Sequence, residues 1–563
     1  MPWLRFCAAL QGQLQQQLCT SLEQKQQGAP ADSLLASFLP RSSIADRPIT
    51  LKSQMVRFQG SDLGVPSWRL AQATCIQDSS ADFLIDTGLV WSKTCVLNPG
   101  CVFTPSDERD IAQALGFIEA AQTKFSVRSG GHMPVIGAQS NNDGVLIALT
   151  NLKTLKYNND KSVLSIGPGY RWIDVYEFTS LSGLGVAGGR YGQVGVGGLL
   201  TGGGISYFGN KIGWSFNTLV SVQIVLGNGT IVEASATKNS DLFWALKGGN
   251  NNYGIVTRFD LKTFQVKAVY AGGTVWDGRE NVQPVANAIQ NFILPGGGIE
   301  DPETELNPSI EVHPHESERL WRSYYLPFVN GTYSSPPRSI ENFTSIQATP
   351  WYNTVGQRDD WVSLAREVSS VDNNLRREQF RALALKNVPG VVDLAVNVVL
   401  KPAMEDNKWS RLKQVNGSVV SVAYQPISKQ MLQAAKRSGD AFDLDPADGS
   451  FMGMLILPRP YLSHTIAELT RRIVILIATN WLDAQWDDLM YSYSEDAAKR
   501  LKAKAKELGV FYDFVYLNDA AGGQNPYATF GKGKSLPRMQ KIQKAYDPKK
   551  VIKNLMTSGF KLP

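Results

Sequence analysis

The sequence predicts an α+β protein built in two lobes, and three observations predict it. At 563 residues the chain is long for one core, so more than one lobe is needed to bury its apolar side chains. From about residue 95 to 268, apolar runs of strand length are interspersed with short amphipathic helices. Beyond about residue 270 the pattern changes to Pro, Asn and Ser interruptions among further strands and helices, the mark of a second lobe.

Taken in order, the lead-in over residues 1–94 has Gln- and Ser-rich clusters and no sustained period of 2 or 3.6. Its first ten residues carry one Arg and a short apolar stretch without a clear small-residue cleavage site, a weak secretory signal. Thr104 then reads as the cap of a helix with Pro105 at its first position and Ile111, Leu115 and Ile118 on one face. Strands follow at residues 125–127, 144–149 and 162–166, and a helix at 171–181. Two more apolar runs, 219–226 and 230–233, flank Gly227-Asn228-Gly229, which predicts a hairpin. Ser240 is expected to cap a helix over 241–246 that Gly248-Gly249 ends. In the second lobe, strands are expected at 391–400 and 419–424. A basic helix at 495–508, an apolar strand at 511–517 and a helix at 536–544 complete the chain. Residues 458–472 interrupt two apolar runs as an insertion.

Several function classes drop out. The net charge of +6 is spread over 56 basic and 50 acidic residues without a dense basic stripe, so nucleic acid is not an expected partner. No run of about 18 apolar residues is present, so no membrane-spanning helix is expected. The cysteines Cys7, Cys19, Cys75, Cys95 and Cys101 form no Cys-x-x-Cys pair and have no histidine near them, which argues against zinc. A disulfide from Cys101 to Cys95 or to Cys75 is open, and the Asn-x-Ser/Thr tripeptides at Asn228, Asn330, Asn342 and Asn416 leave the compartment open too.

The chemistry concentrates in two glycine clusters. Val127-Arg128-Ser129-Gly130-Gly131-His132 leaves a strand for a loop whose glycines let backbone N–H groups turn toward an anion such as a diphosphate. The stretch from Gly188 to Gly204 carries so few side chains that a flat ring system and its phosphate tail can lie against the backbone. Running into its start, Gly183-x-Gly185-x-x-Gly188 follows a predicted helix rather than a strand, so the strand-turn-helix context of a nicotinamide site is missing.

Residues from about 95 to 268, and again from about 505 to the end, resemble the FAD-linked oxidoreductases of the vanillyl-alcohol oxidase superfamily, specifically the berberine-bridge-enzyme-like group. The matching residues are Arg128-Ser129-Gly130-Gly131-His132, Val194-Gly195-Val196-Gly197-Gly198 with Gly202-Gly203-Gly204, residues 241–249, and Asn252-Tyr253-Gly254-Ile255-Val256-Thr257. The resemblance implies a PCMH-type FAD-binding domain over 95–268 and a substrate domain over 269–504 with an antiparallel sheet covered by helices. It also implies a C-terminal segment, 505–563, that returns to the FAD-binding domain. FAD contacts are implied at Arg128, Ser129, Gly130, Gly131, His132, Val194, Gly195, Gly197, Gly198, Gly254, Ile255 and Asn518.

In that group the histidine matching His132 bonds through its ring to the flavin 8α-methyl carbon, and a neutral imidazole has the nucleophilicity this needs. Many relatives add a second link through a cysteine where this chain has Tyr191, so a single attachment is expected. The valine matching Val194 stands at the flavin edge that molecular oxygen approaches. The group often places an Asn-Tyr pair on the returning segment, whose tyrosine takes a substrate proton; here the pair is Asn518-Asp519, leaving Asp519, Tyr516 and Tyr424 as alternatives for the base. The expected activity is two-electron oxidation, with or without ring closure, of a small natural-product intermediate, with hydride moving to flavin N5 and oxygen as acceptor. A carbohydrate oxidase of the same fold and a flavin-bearing cyclase without net redox change are the alternatives.

Overall fold

The computed structural model describes residues 81–315, 320–369, 376–449, 451–457 and 479–563, all within the compact unit Ala71–Pro563. The lead-in to residue 80, with Cys7, Cys19 and Cys75, and the insertion at 458–472 lie outside the described residues.

Helix α1, Ala81–Gly88, precedes β1, Cys101–Phe103, which joins β2, Phe125–Arg128, and β3, Val145–Ala148, in a parallel sheet of order β1-β3-β2. Helix α2, Glu108–Ala121, links β1 to β2 and buries Ile111, Leu115 and Ile118 against Phe125 and Ile147. Its cap is Asp107 rather than Thr104: the Asp107 carboxylate accepts the N–H groups of both Arg109 and Asp110, and Pro105 stays outside the helix.

Six strands follow: β4 Leu155–Tyr157, β5 Val163–Ile166, β6 Leu184–Val186, β7 Leu219–Val225, β8 Ile231–Ser235 and β9 Ile255–Gln265. They form an antiparallel sheet of order β4-β5-β9-β7-β8, with β6 also on β9. The predicted hairpin is β7 to β8, with Gly229 at φ 79° in its turn. Helix α3, Trp172–Ser180, lies between β5 and β6, and the short α4, Val196–Thr201, carries the second glycine cluster. Ser240 is the first residue of α5, Ser240–Leu246, and not its cap; Asn239, at φ 47°, precedes it without a side-chain capping bond.

The second region begins with β10 Val269–Ala271, β11 Thr274–Asp277, β12 Thr304–Leu306, β13 Ser309–His313, β14 Leu320–Tyr325 and β15 Pro327–Asn330. It continues with β16 Tyr352–Asn353, β17 Gly356–Arg358, β18 Arg377–Gln379, β19 Ala382–Lys386, β20 Val420–Ile427, β21 Phe451–Leu457, β22 Thr479–Trp481 and β23 Phe511–Tyr512. Its main feature is an eight-stranded antiparallel sheet of order β16-β11-β14-β13-β20-β21-β19-β23. Side chains on one face of this sheet, Ile310, Val312, Val420, Val422 and Tyr424 among them, share a core with helix α6, Val282–Ile293, and with α8, Asp487–Glu507.

Two expectations fail here. Residues 391–400 are helical, α7 Val391–Ala395 running into a π-helical turn over Val396–Leu400. The buried positions 391, 392, 395, 396, 399 and 400 repeat at the helical period, which outweighs the strand preference of the valines. The strand expected at 511–517 stops at Tyr512, because Val515 gives its N–H to the Thr529 hydroxyl (3.1 Å) instead of to a neighbouring strand. The chain then turns through a 3-10 segment, Leu517–Asp519, toward the glycine clusters.

Cys95 is a free, buried thiol, held up to about 11 by burial, whereas Cys101 is disulfide-bonded; the Cys95–Cys101 pairing is therefore excluded. Among the described residues, no helix is long and apolar enough to cross a membrane.

Candidate functional site

Strand β2 ends at Arg128, whose guanidinium turns away from the loop that follows. It is almost fully buried and bonds the Asp86 carboxylate at 3.1 Å and the Asp86 carbonyl. Arg128 therefore ties helix α1 to β2 and does not line the cavity described below. Beyond it, the Ser129 hydroxyl donates to the Pro168 carbonyl at 2.6 Å and accepts the Gly197 N–H at 3.2 Å, which joins the first glycine cluster to the second. The two clusters meet backbone to backbone: a Cβ on Gly130 would lie 2.3 Å from the Gly195 Cα. Gly131 adopts φ 70°, a left-handed conformation that favours glycine, and its carbonyl accepts the Trp91 N–H at 2.8 Å. The Trp91 indole is stacked on the His132 imidazole, with ring centroids 4.4 Å apart and planes 11° from parallel.

These loops wall a cavity of about 1370 Å³ of empty space, open solvent included. Ser129, Gly130, Gly131 and His132 line it from the first cluster, and Val194, Gly195, Gly197 and Gly198 from the second. Gly254 and Ile255, at the entry to β9, complete that part; Gly254 has φ 154°, and a Cβ there would meet the Val225 carbonyl at 2.3 Å. A Cβ on Gly198 would meet nothing within 4 Å, so this glycine leaves open space on the cavity side. Tyr191, at the position where a second flavin link would require cysteine, also lines the cavity.

The returning segment supplies Tyr516, Asn518 and Asp519. The Asn518 amide donates to the Leu199 carbonyl and to the Tyr516 hydroxyl, each at 3.1 Å. The Tyr516 hydroxyl also accepts the Gly204 N–H at 2.8 Å, and its ring is stacked on Trp214. Burial, then the neighbouring Asp519 charge, pushes the Tyr516 phenol above its usual range, so it keeps its proton at neutral pH. Asp519 is in the opposite situation: burial raises its carboxyl to about 6, while the Gln425 hydrogen bond and the Arg190 charge oppose the rise. A carboxylate poised there is ionised at neutral pH and basic enough to accept a proton.

The third candidate base is elsewhere. Side chains alternate across β20, so Tyr424 and Gln425 face opposite sides of the sheet. Tyr424 lies under the helices, donating to the Val392 carbonyl at 3.3 Å, and Gln425 lines the cavity. Tyr424→Phe is accordingly expected to lower stability by about 1 kcal/mol, read as a reduced melting temperature, with the visible flavin spectrum unchanged.

Sequence reasoning missed Trp91, Gln139, Arg190, Asn251 and Gln425. Arg190 had a signal, as the one charged side chain within the 188–204 glycine stretch, and Gln425 as the one amide in β20. Trp91 had none, because its partner is a residue 41 positions away in sequence on another element. Among the described residues, the buried atoms Gln139 Nε2, Arg190 Nη1 and Asn251 Oδ1 have no hydrogen-bond partner, and all three side chains line the cavity. Buried polar groups in native proteins are normally paired, so donors and an acceptor left open around a glycine-walled space fit a polar, flat-ringed ligand with a phosphate tail.

Comparison with known proteins agrees with this geometry. A model of an FAD binding domain matches residues 99–235. The chain is similar to the FAD-dependent monooxygenase prx3 of Penicillium roqueforti, 37% identical over 492 residues that cover 86% of this chain and 91% of that one. In fold it resembles the berberine-bridge-enzyme-like 1 protein of Physcomitrella patens, with a TM-score of 0.67, 17% identity and coverage of 88% of this chain and 98% of that one. It also resembles the glucooligosaccharide oxidase of Acremonium strictum, whose flavin is described as 6-S-cysteinyl, 8α-N1-histidyl FAD; the TM-score is 0.66, the identity 15%, and the coverage 87% and 98%.

Proposed function

The chain belongs to the berberine-bridge-enzyme-like FAD-linked oxidoreductases of fungal secondary metabolism, and on that premise we propose that it oxidises a small natural-product intermediate by two electrons, with FAD attached through His132 and molecular oxygen as the final acceptor. The observation that carries this reading is that one cavity gathers His132, both glycine clusters and the Asp519 carboxylate. Residues 95–268 and 505–563 make up the cofactor-binding part, and residues 269–504 the substrate-binding part.

FAD, when bound, supplies the electron-pair acceptor. The backbone at Gly130, Gly131, Gly195, Gly197 and Gly198 gives it room, and the stacked Trp91 ring fixes the plane of the imidazole that bonds to it. Tyr191 supplies no thiol, so the attachment is single. Val194 keeps a small side chain on the route by which oxygen arrives. Asp519 takes the proton that the substrate loses as it is oxidised, and Tyr516 and Asn518 hold the segment that carries it.

His132→Ala tests the attachment. Acid-precipitated wild-type protein is expected to stay yellow, and its His132 peptide to carry the mass of the flavin. The variant is expected to release its colour to the supernatant. A colourless wild-type precipitate with an unmodified peptide refutes the covalent link. Hydrogen peroxide released in step with substrate consumption would mark an oxidase, whereas oxygen incorporated into product would mark the monooxygenase chemistry for which the Penicillium relative is named.

A further inference from the structure

Three side chains at the substrate end of the cavity form a single relay. Arg190 Nη2 donates to Gln425 Oε1 at 2.6 Å, and Gln425 Nε2 donates to Asp519 Oδ2 at 2.5 Å. The amide thus holds guanidinium and carboxylate apart, each fixed by the opposite end of one side chain. Arg190 is 94% buried, its exposure being 6%, and its Nη1 has no partner among the described residues although the side chain lines the cavity. A guanidinium keeps its charge and offers its N–H groups as a planar fork, so a buried nitrogen left open calls for an oxygen acceptor. Glu305 also senses Arg190: burial raises its carboxyl to about 8, against the pull of the guanidinium. The walls around this end are apolar and aromatic, with Ile205, Phe380 and the Tyr516 ring. They suit a flat unsaturated skeleton better than a polyol.

We propose that Arg190 Nη1 receives an acidic oxygen of the substrate, so that this cavity takes small unsaturated molecules which form a planar, delocalised oxyanion, as a carboxylic acid or an enolised β-dicarbonyl does. The acidic oxygen arrives already ionised and is held by Arg190, so the Asp519 carboxylate stays free to take the one proton lost on oxidation. Gln425 is the positioning residue that keeps the two groups in register. This assignment rests on the reading of the cavity as a flavin site, and it deepens that reading by naming the substrate class.

The test is a titration of the flavin-bearing protein, followed by its visible spectrum, with two acids, benzoate and dimedone, and two uncharged counterparts, benzyl alcohol and cyclohexane-1,3-diol. At least one acid is expected to bind about ten-fold or more tightly than its counterpart, and Arg190→Met is expected to abolish that preference. Arg190→Gln, which keeps a polar side chain, carries the same comparison if Arg190→Met fails to fold. Retained yellow colour and a cooperative melt identify a folded variant. No preference in wild type, or a preference that survives both substitutions, overturns the proposal. A spectrum altered by the substitutions without a change in ligand preference also overturns it, since Arg190 would then serve the flavin alone. A yellow protein that fails these titrations leaves the flavin reading standing, whereas a protein that cannot take up flavin ends both.

Discussion

Asp519→Asn is expected to lower the rate of substrate oxidation by about 10² to 10⁴-fold, the usual contribution of a positioned general base. The substitution keeps the shape and the Gln425 contact while removing the proton acceptor, so the loss falls on kcat. In wild type the base becomes active as the carboxyl ionises, so the rate rises with pH through about 6, and this rise is absent in the variant. Stability moves in the opposite sense. The Asp519 carboxyl ionises at about 6 in the folded chain against an ordinary 3.8, so the unfolded chain ionises first as pH rises. The folded state is penalised from pH 3.8 upward and carries the full penalty, ~3 kcal/mol, above about pH 6. The variant should therefore melt above wild type at pH 7 to 8, with the difference disappearing below the ordinary carboxylate value. A variant with wild-type rate, or with an unchanged pH limb, would remove Asp519 from the mechanism.

The second large effect is steric. In Gly195→Ala the new Cβ would stand 2.3 Å from the Gly130 N and 2.5 Å from the Gly130 Cα, and backbone on both sides cannot swing aside as a side chain can. Overpacking of this kind costs ~1–3 kcal/mol or more, and relief here requires the two glycine loops to separate. The expected result is a lower melting temperature together with lost flavin, seen by calorimetry and by the ratio of visible to protein absorbance. Gly198→Ala is the matched control. Its Cβ meets no protein atom within 4 Å and sits in helix α4, where alanine is favoured, so the fold holds while the cavity narrows and flavin content falls. If Gly195→Ala loads and melts like wild type, the close approach of the two loops is not what shapes the site.

The cofactor half of the site could be read from the chain because its chemistry is local. Ser129-Gly130-Gly131-His132 and Val194-Gly195-Val196-Gly197-Gly198 are contiguous, and helix α4, which carries part of the second run, is flanked by Gly195 and Gly202. The substrate half could not, because it is assembled across elements by register. One position along β20 separates Tyr424, under the helices, from Gln425, in the cavity, and composition cannot say which face of a wholly buried strand turns inward. The misjudged run at 391–400 has a related cause: valine favours strands, and the helical spacing of its buried positions shows only once the sheet beneath is known. Arg128 matched the motif by its neighbours, yet its own side chain answers Asp86.

The stretch just ahead of residue 95 has a practical bearing on recombination between relatives. Trp91 backs the imidazole, Asp86 secures Arg128, and Ser92 accepts the Glu378 N–H at 2.7 Å while Lys93 donates to the Arg376 carbonyl at 2.7 Å. A single peptide of fourteen residues, 81–94, is thus stitched to both the first sheet and the far region. A chimera that joins one protein's flavin half to another's substrate half should cut ahead of Ala81 and bring the matching 376–378 segment along, or the graft will arrive with its prosthetic group loosely seated.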